Sequence, residues 1–415
     1  MNNQPIKNKF FFPSDKYNLS KLPDSIIHVL TDENSKNILP YTYFKRSYDK
    51  VVLFLIDGLD KTHLQEFKES TDFLSNITEI GTDNFLTCQF PSTTASNVTT
   101  IHTGLSVAQH GIYEWFYYEP LADNIIAPVL FSYARDEKRE TLENKLNPED
   151  IYPSKTVYQK LSKYGVKSFV FQNKDYTSSN YSKILLKGAE IKGYCELSEG
   201  MEALAECTNK SDGKVYYLFY YDMIDKSSHK YGPESEESDK EVKKLFETIE
   251  KLKVMLNKLD ENILFILTSD HGQISLDKEK SIYLNQEFPE IKRYIKKSRD
   301  GNLIVPAGSP RDMFLYIKDE MLDEALIFLQ NKLYRKAIVC KTDYLIENNY
   351  FGTKNISNEL IGRLGNLAVL PLENWAVWWY EKDIFEINTS GHHGGLSRNE
   401  MEIPFLVWDY HDWIK

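Results

Sequence analysis

Short, nearly unbroken apolar runs punctuate this chain, separated by longer stretches in which polar and apolar positions mix. Residues 51–56, 215–221, 263–267 and 403–408 are such runs, built from Val, Ile, Leu, Phe, Tyr and Trp with almost no charged side chain. Apolar runs of this length, bounded by turn formers, read as strands buried on both faces, the habit of parallel sheets. Mixed, helix-like stretches over 61–74, 156–165 and 238–259 each precede a further run, at 85–88, 167–171 and 263–267. Ser238 with Glu241 three residues on has capping-box spacing and predicts a helix start there. Repeated helix-then-strand units predict an α/β fold, a mostly parallel central sheet with helices on both faces.

Outside this alternation the pattern changes twice. Residues 1–48 are rich in Asn, Lys, Ser and Asp and are expected to form a loosely packed extension on the core of a catalytic α/β domain, 49–415. Within 274–387, strands at 303–306, 313–317 and 337–340 and a helix at 321–333 predict a small inserted α/β segment. A third feature is compositional: Tyr113, Trp115, Phe116, Tyr117 and Tyr118 crowd one loop. They predict either packing or a stacking wall for an aromatic group of a substrate, with Tyr113 as a substrate contact.

A net charge of −11 argues against duplex nucleic acid or an anionic membrane as partner. It does not exclude a phosphate ester, because bound cations dominate the electrostatics of their own site. The four cysteines lack ligand spacing and are expected to be reduced thiols. With no signal-like or membrane-length apolar run, a cytoplasmic location is expected. The sequence sets no oligomeric state.

Chemistry gathers beside the apolar runs. Asp57 closes the first; Asp225 and His229 follow the second, Asp270 and His271 the third, and His392 and His393 precede the last. In open α/β sheets, side chains beyond the carboxyl ends of strands converge although distant in sequence. Three carboxylates and three imidazoles, without thiolate, suit two divalent ions such as Zn²⁺ or Mn²⁺ in a hydrolase. Residues 90–104 open with a turn and continue as a small-residue helix ending at Gly104. Thr94 at its start is a candidate nucleophile and metal-facing oxygen, with Thr93 the alternative.

The segment from Phe90 to Asn97, continuing to Thr103-Gly104 and His110-Gly111-Ile112, resembles the nucleophile region of the nucleotide pyrophosphatase/phosphodiesterase branch of the alkaline phosphatase superfamily. Asp57-Gly58, Asp225 to His229 with Gly232-Pro233, Asp270-His271-Gly272 and Gly391-His392-His393-Gly394 resemble its other motifs in the same order. The resemblance implies an alkaline-phosphatase-like fold and one metal on Asp225, His229 and His393, with a second on Asp57, Asp270, His271 and the Thr94 oxygen. It implies Asn97 as a donor to a phosphate oxygen and His392 as a neighbour of the ligands. The implied activity is hydrolysis of small phosphodiesters or phosphoanhydrides, nucleotides among them, through a phosphothreonine ester. Phosphomonoester or phosphonate hydrolysis, or an inactive metal-binding protein, are the alternatives.

Overall fold

The computed structural model describes residues 9–33, 35–40, 44, 47–256 and 262–415. The first eight residues of the polar extension and the helix end expected at Leu259 lie outside them.

One seven-stranded sheet organises the chain. Its members are β1 (Lys50–Ile56), β2 (Thr82–Thr87), β3 (Lys167–Asn173), β4 (Glu190–Tyr194), β5 (Val215–Tyr221), β6 (Ile263–Thr268) and, after three strands of a smaller sheet, β10 (Glu402–Asp409). The spatial order is β2-β10-β6-β1-β5-β3-β4. Only β10 runs against the rest, pairing antiparallel with both β2 and β6. Every residue of the central strand β1 is buried, as the apolar run from Val51 to Ile56 requires, and Lys50 at its start donates to the Thr208 carbonyl at 2.9 Å. Val51, Leu53 and Leu55 enter one core, while Val52, Phe54 and Ile56 enter the other, so the alternation of a pleated strand feeds two helical layers.

The layers are built from α1 (Leu22–Thr31), α2 (Lys61–Phe67), α3 (Asp72–Ile80), α4 (Thr94–Thr103), α5 (Val157–Ser162), α6 (Asn180–Leu185), α7 (Leu197–Lys210), α8 (Met223–Tyr231) and α9 (Glu236–Met255). Helices α3, α7 and α9 cover one face; α1, α4 and α5 cover the other. The expected helix over 61–74 is two helices, because Ser70 and Thr71 turn back onto the Phe67 carbonyl and Asp72 starts the next. Helix α9 is capped by Ser235, whose hydroxyl accepts from the Ser238 amide, and not by Ser238. Glu241 instead accepts from the Tyr221 hydroxyl at 2.6 Å.

The polar leader packs far more firmly than its composition suggested. Leu22, Ile26 and Leu30, one face of α1, are at most 1% exposed, and the helix rests on α4, α5 and β1. Within 274–387, β7 (Met313–Leu315), β8 (Ala337–Lys341) and β9 (Leu367–Pro371) form an antiparallel sheet, with α10 (Leu322–Lys332) against β8. Residues 303–306 do not form a strand: Leu303 makes one isolated bridge to Lys297, and Pro306 has no N–H with which to continue the pairing.

Candidate active site and metal centre

The carboxyl ends of β1, β5 and β6 open onto one edge of the sheet, and because β10 runs the other way, its entry meets the same edge. That topology carries Asp57, Asp225, Asp270, His271 and His393 to one place. Helix α8 presents Asp225 and His229 one turn apart on the same face. Gly58 allows the close approach: its φ is +70°, and a Cβ there would lie 2.9 Å from Asp225 Cα.

Two clusters result. In the first, His229 Nε2 lies 3.5 Å from Asp225 Oδ1, and His393 Nε2 lies 3.2 Å from His229 Nε2. In the second, His271 Nε2 lies 3.4 Å from Asp57 Oδ1 and 3.5 Å from Asp270 Oδ2. The His271 and His393 rings stack at 3.7 Å and join the two.

The tautomers follow from the second ring nitrogens. Each Nδ1 meets a backbone carbonyl: His229 on Gly391 at 2.8 Å, His271 on Gly272 at 3.1 Å and His393 on Ser92 at 3.0 Å. A carbonyl only accepts, so each Nδ1 carries the proton and each Nε2 presents a lone pair. His229 and His393 thus point lone pairs at one another, a contact that repels until a cation lies between them. Asp270 Oδ2, buried and without a hydrogen-bond partner, belongs to the same set. Burial, then the charges of Asp270 and Asp225, push the Asp57 carboxyl well up. Burial also raises Asp270, and holds His393 well below the usual imidazole value, with the neighbouring His271 and His229 adding to the shift. Buried carboxylates that are costly to ionise, beside imidazoles whose Nδ1 atoms are fixed on carbonyls, fit divalent cations in both clusters.

Thr94 opens α4 at the second cluster, its Oγ1 3.1 Å from His271 Nε2 and 3.4 Å from Asp57 Oδ1. Thr93, one residue earlier, is the N-cap; its hydroxyl is buried and makes no hydrogen bond to the protein.

A family model for type I phosphodiesterase / nucleotide pyrophosphatase matches residues 51–396, the span that holds all of these residues. The chain belongs to this family. Its sequence is 26% identical over 248 residues to human ectonucleotide pyrophosphatase/phosphodiesterase family member 1, covering 58% of this chain and 25% of that protein. The rat family member 7 is 27% identical over 144 residues, covering 34% and 32%. The chain therefore spans a third or less of the curated relatives it matches. Among solved structures, an inactive variant of murine ectonucleotide pyrophosphatase / phosphodiesterase 5 in complex with AMP superposes with a TM-score of 0.64 at 19% identity, over 87% of this chain and 88% of that one. Phosphonoacetate hydrolase from Sinorhizobium meliloti 1021, in complex with phosphonoformate, gives 0.62 at 17% identity over 87% and 90%. These likenesses establish the alkaline-phosphatase-like fold.

In this phosphodiesterase-family chain, two expected substrate contacts fail. Asn97 is buried with both ends of its amide occupied: Oδ1 accepts from the Gln89 amide at 2.8 Å, and Nδ2 faces the Thr93 carbonyl at 3.2 Å and Ser96 Oγ at 3.0 Å. It clamps the loop before α4 and is not free to donate to a phosphate, because its amide is spent on that loop although position 97 lies only about 60° around the helix from Thr94. Tyr113 is also fully buried, its ring against Tyr117 and Phe314 and its hydroxyl 3.3 Å from that of Tyr316. The aromatics that line the cavity beside Thr94 include its neighbours Trp115 and Phe116, Trp378 and Phe385 from the inserted segment, and Tyr176, Tyr181 and Tyr220.

Sequence reasoning passed over three supports. The Tyr220 hydroxyl donates to Asp57 Oδ2, Gln273 Nε2 donates to Asp225 Oδ1, and Ser92 accepts from His393 while its own hydroxyl donates to the Gly395 carbonyl. Gln273 had a signal, lying two residues after His271; Tyr220 was hidden in an apolar run. His392 is a neighbour of the ligands, as expected, held by Thr389 at 2.7 Å.

His110, six residues beyond α4, is a structural imidazole. Its Nδ1 accepts from the Ile112 amide at 3.1 Å, and its Nε2 meets Thr100 Oγ1 at 3.1 Å. Burial lowers its pKa to about 3. The unfolded chain therefore takes up a proton near pH 6.5 that the folded chain refuses, and stability falls as pH drops from there toward about 3. The denaturation midpoint of His110→Gln should fall less steeply over this window than that of the parent; parallel slopes would refute the assignment.

Proposed function

We propose that this chain is a two-metal phosphodiesterase/nucleotide pyrophosphatase in which Thr94 attacks phosphorus and carries a transient phosphothreonine ester. The observation that carries the reading is the common arrangement of His229, His271 and His393, each anchored through Nδ1 on a carbonyl and offering Nε2 to carboxylates, with the Thr94 oxygen at the second cluster. Asp225, His229 and His393 would hold one divalent ion and Asp57, Asp270 and His271 the other. Zinc or manganese bound there would neutralise charge on the phosphate and make a contacting hydroxyl or water more acidic.

The residues themselves prepare the attack. Thr94 Oγ1 is held 3.1 Å from His271 Nε2 and 3.4 Å from Asp57 Oδ1, beside the ligands of the second ion, so its hydroxyl would be among the groups that such an ion makes more acidic and better able to attack phosphorus. Tyr220 restrains Asp57, and Gln273 restrains Asp225, so the carboxylates need little reorganisation as charge develops. The first turn of α4 offers backbone N–H groups without intrahelical partners to the phosphate oxygens. As the Thr94–phosphorus bond forms, the bond from phosphorus to the alcohol or phosphate leaving oxygen breaks and that group departs with a proton; hydrolysis of the threonine ester by water then releases the second product and restores Thr94.

A cavity of about 760 Å³ beside Thr94 suits a small phosphate ester, and its aromatic wall suits a nucleotide. Free thiols, including exposed Cys195, support a reducing, cytoplasmic setting. Zinc-loaded protein should hydrolyse a nitrophenyl phosphodiester and a nitrophenyl nucleotide ester in preference to nitrophenyl phosphate and phosphonoacetate, and chelation should stop turnover. Preference for the monoester or the phosphonate would overturn the diesterase reading. With the nucleotide ester, Trp115→Ala should raise KM about tenfold, the worth of one stacking contact; an unchanged KM would remove Trp115 from base recognition.

A further inference from the structure

The inserted segment and the aromatic loop meet over the turn that carries His393. Asp312, which immediately precedes β7, and Glu114, which immediately precedes Trp115, are both fully buried there. Gly394, the residue after His393, leaves them room: its φ is +118°, and a Cβ at that position would lie 2.7 Å from Asp312 Oδ1 and 3.3 Å from Glu114 Oε1. Ser309 links the group to the ligand turn, its Oγ lying 2.5 Å from Asp312 Oδ1 and 3.2 Å from the His393 carbonyl oxygen.

Two carboxylates do not account for the oxygens here. Glu114 Oε2 accepts from the Trp115 amide, and Asp312 Oδ1 accepts from the Ser309 amide and hydroxyl. Glu114 Oε1 and Asp312 Oδ2 are buried and have no donor. The adjacent cation, Arg311, is spent on Glu400 and on the Leu372 and Trp375 carbonyls. The two carboxyl groups come within hydrogen-bonding reach of each other, and two buried anions at that range, each with an orphaned oxygen, cannot both stay ionised. A proton on one of them turns an acceptor into a donor for the other and satisfies both orphans at once. Burial pushes both groups up, and the charge of Glu114 adds to the shift of Asp312. The other titratable groups around the pair are Tyr113, which burial keeps protonated, Glu400, which Arg311 keeps ionised, and His393, whose ring faces His229 and His271.

We propose that Glu114 and Asp312 share a single proton and, as a carboxylic acid hydrogen-bonded to a carboxylate, form a positioning pair that locks the aromatic wall of the cavity onto the turn bearing His393. Glu114 carries Trp115 and Phe116 behind it, and Asp312 reaches the His393 carbonyl through Ser309, so the shared hydrogen joins the substrate wall to a ligand of the first cluster. The positioning role rests on the reading of His393 as a metal ligand; the shared proton does not.

Glu114→Gln and Asp312→Asn test the proton, because either amide supplies the bridging hydrogen permanently and leaves one carboxylate to accept it. Above the ordinary values of 3.8 and 4.5 the unfolded chain holds no proton on either group, whereas the folded parent holds one, so raising the pH costs the parent stability. In zinc-loaded protein from about pH 5 to 7, the folding equilibrium constant of the parent should fall about tenfold per pH unit relative to either variant. At neutral pH the parent should also show the infrared C=O stretch of a protonated carboxyl that both variants lack. Equal slopes in all three proteins, or a slope lost in one variant only, would overturn the sharing. Added potassium or calcium that stabilises the parent and neither variant would place a cation between the carboxyls and overturn it too.

Zinc affinity, measured by competition with a chelating dye, tests the positioning. Glu114→Ala has nothing to bridge to Asp312 and should weaken zinc at the Asp225, His229 and His393 cluster about tenfold, and Glu114→Gln should restore it. Parental affinity in the alanine variant, or equal weakness in the glutamine variant, would overturn the positioning role. Zinc bound by none of the proteins would refute the metal reading, while the pH slopes and the infrared band would still decide the shared proton.

Discussion

Replacing Thr94 by alanine should lower kcat by about 10⁴-fold while both metals stay bound, because the substitution removes the attacking oxygen and none of the six carboxylate and imidazole ligands. The competing expectation is that Thr93 attacks. Geometry separates them: Thr94 Oγ1 lies within 3.4 Å of both Asp57 and His271, whereas Thr93 Oγ1 has no hydrogen-bond partner at all. Thr93 makes no capping bond with its side chain either. Thr93→Ala should therefore retain turnover within about tenfold, a loss of positioning and not of chemistry. Acid quenching during turnover, followed by peptide mass analysis, should find the phosphoryl ester on Thr94. A Thr94→Ala enzyme with undiminished kcat, or an ester on Thr93, would overturn the assignment.

Much of this site was legible because its chemistry sits beside runs of unmistakable burial. A strand such as residues 51–56 has no polar residue to blur its ends, so Asp57 is placed at a sheet edge by the first charged side chain after it. The same logic brought Asp270 and His271 to that edge before any geometry was known. Asn97 shows where such reasoning stops. Its spacing from Thr94 was compatible with a donor, but the turn built on Pro91 leaves backbone carbonyls that need a buried amide, and Asn97 supplies it. Tertiary demand decided the role, and one-dimensional spacing carries no trace of that demand. Tyr113 failed for a related reason: five aromatics in one loop cannot all face a cavity, and the choice among them depends on Tyr316 and Phe314, about 200 residues away. The leader misled through composition, since α1 is a short apolar-rich helix inside a polar stretch, with Leu22, Ile26 and Leu30 spaced four apart and Ile27 and Val29 buried beside them.

Asp270→Asn should have opposite effects on the zinc-loaded and the chelator-stripped protein. In the stripped protein the Asp270 carboxyl is fully buried, and burial, opposed by His271 and reinforced by Asp225, leaves its pKa above the ordinary value of 3.8. Ionisation then opposes folding: the penalty is absent below the ordinary pKa and grows as pH rises toward the folded value. The asparagine oxygen can keep the three bonds that Oδ1 accepts, from the Gly58 amide at 3.2 Å, the His271 amide at 3.0 Å and the Ser269 hydroxyl at 3.4 Å. Its amide nitrogen, in place of the unpartnered Oδ2, faces the His271 Nε2 lone pair 3.5 Å away and can donate to it. A repulsion and an orphaned oxygen are exchanged for a hydrogen bond, worth about 1–3 kcal/mol in favour of the variant. With zinc the balance reverses. A ligand present at a thousandfold over its Kd stabilises the parent by about 4 kcal/mol, and the variant, short of one anionic ligand, loses most of that from the second cluster together with at least about 10³-fold in turnover. Melting temperatures of both proteins, stripped and loaded, from about pH 4 upward make the comparison. The variant should melt higher when stripped, by a margin that widens as pH rises from 3.8 to the folded pKa of Asp270 and is constant above it, and lower when loaded. A variant that is less stable in both states at every pH would show that Asp270 is a structural carboxylate and not one held in wait for a cation.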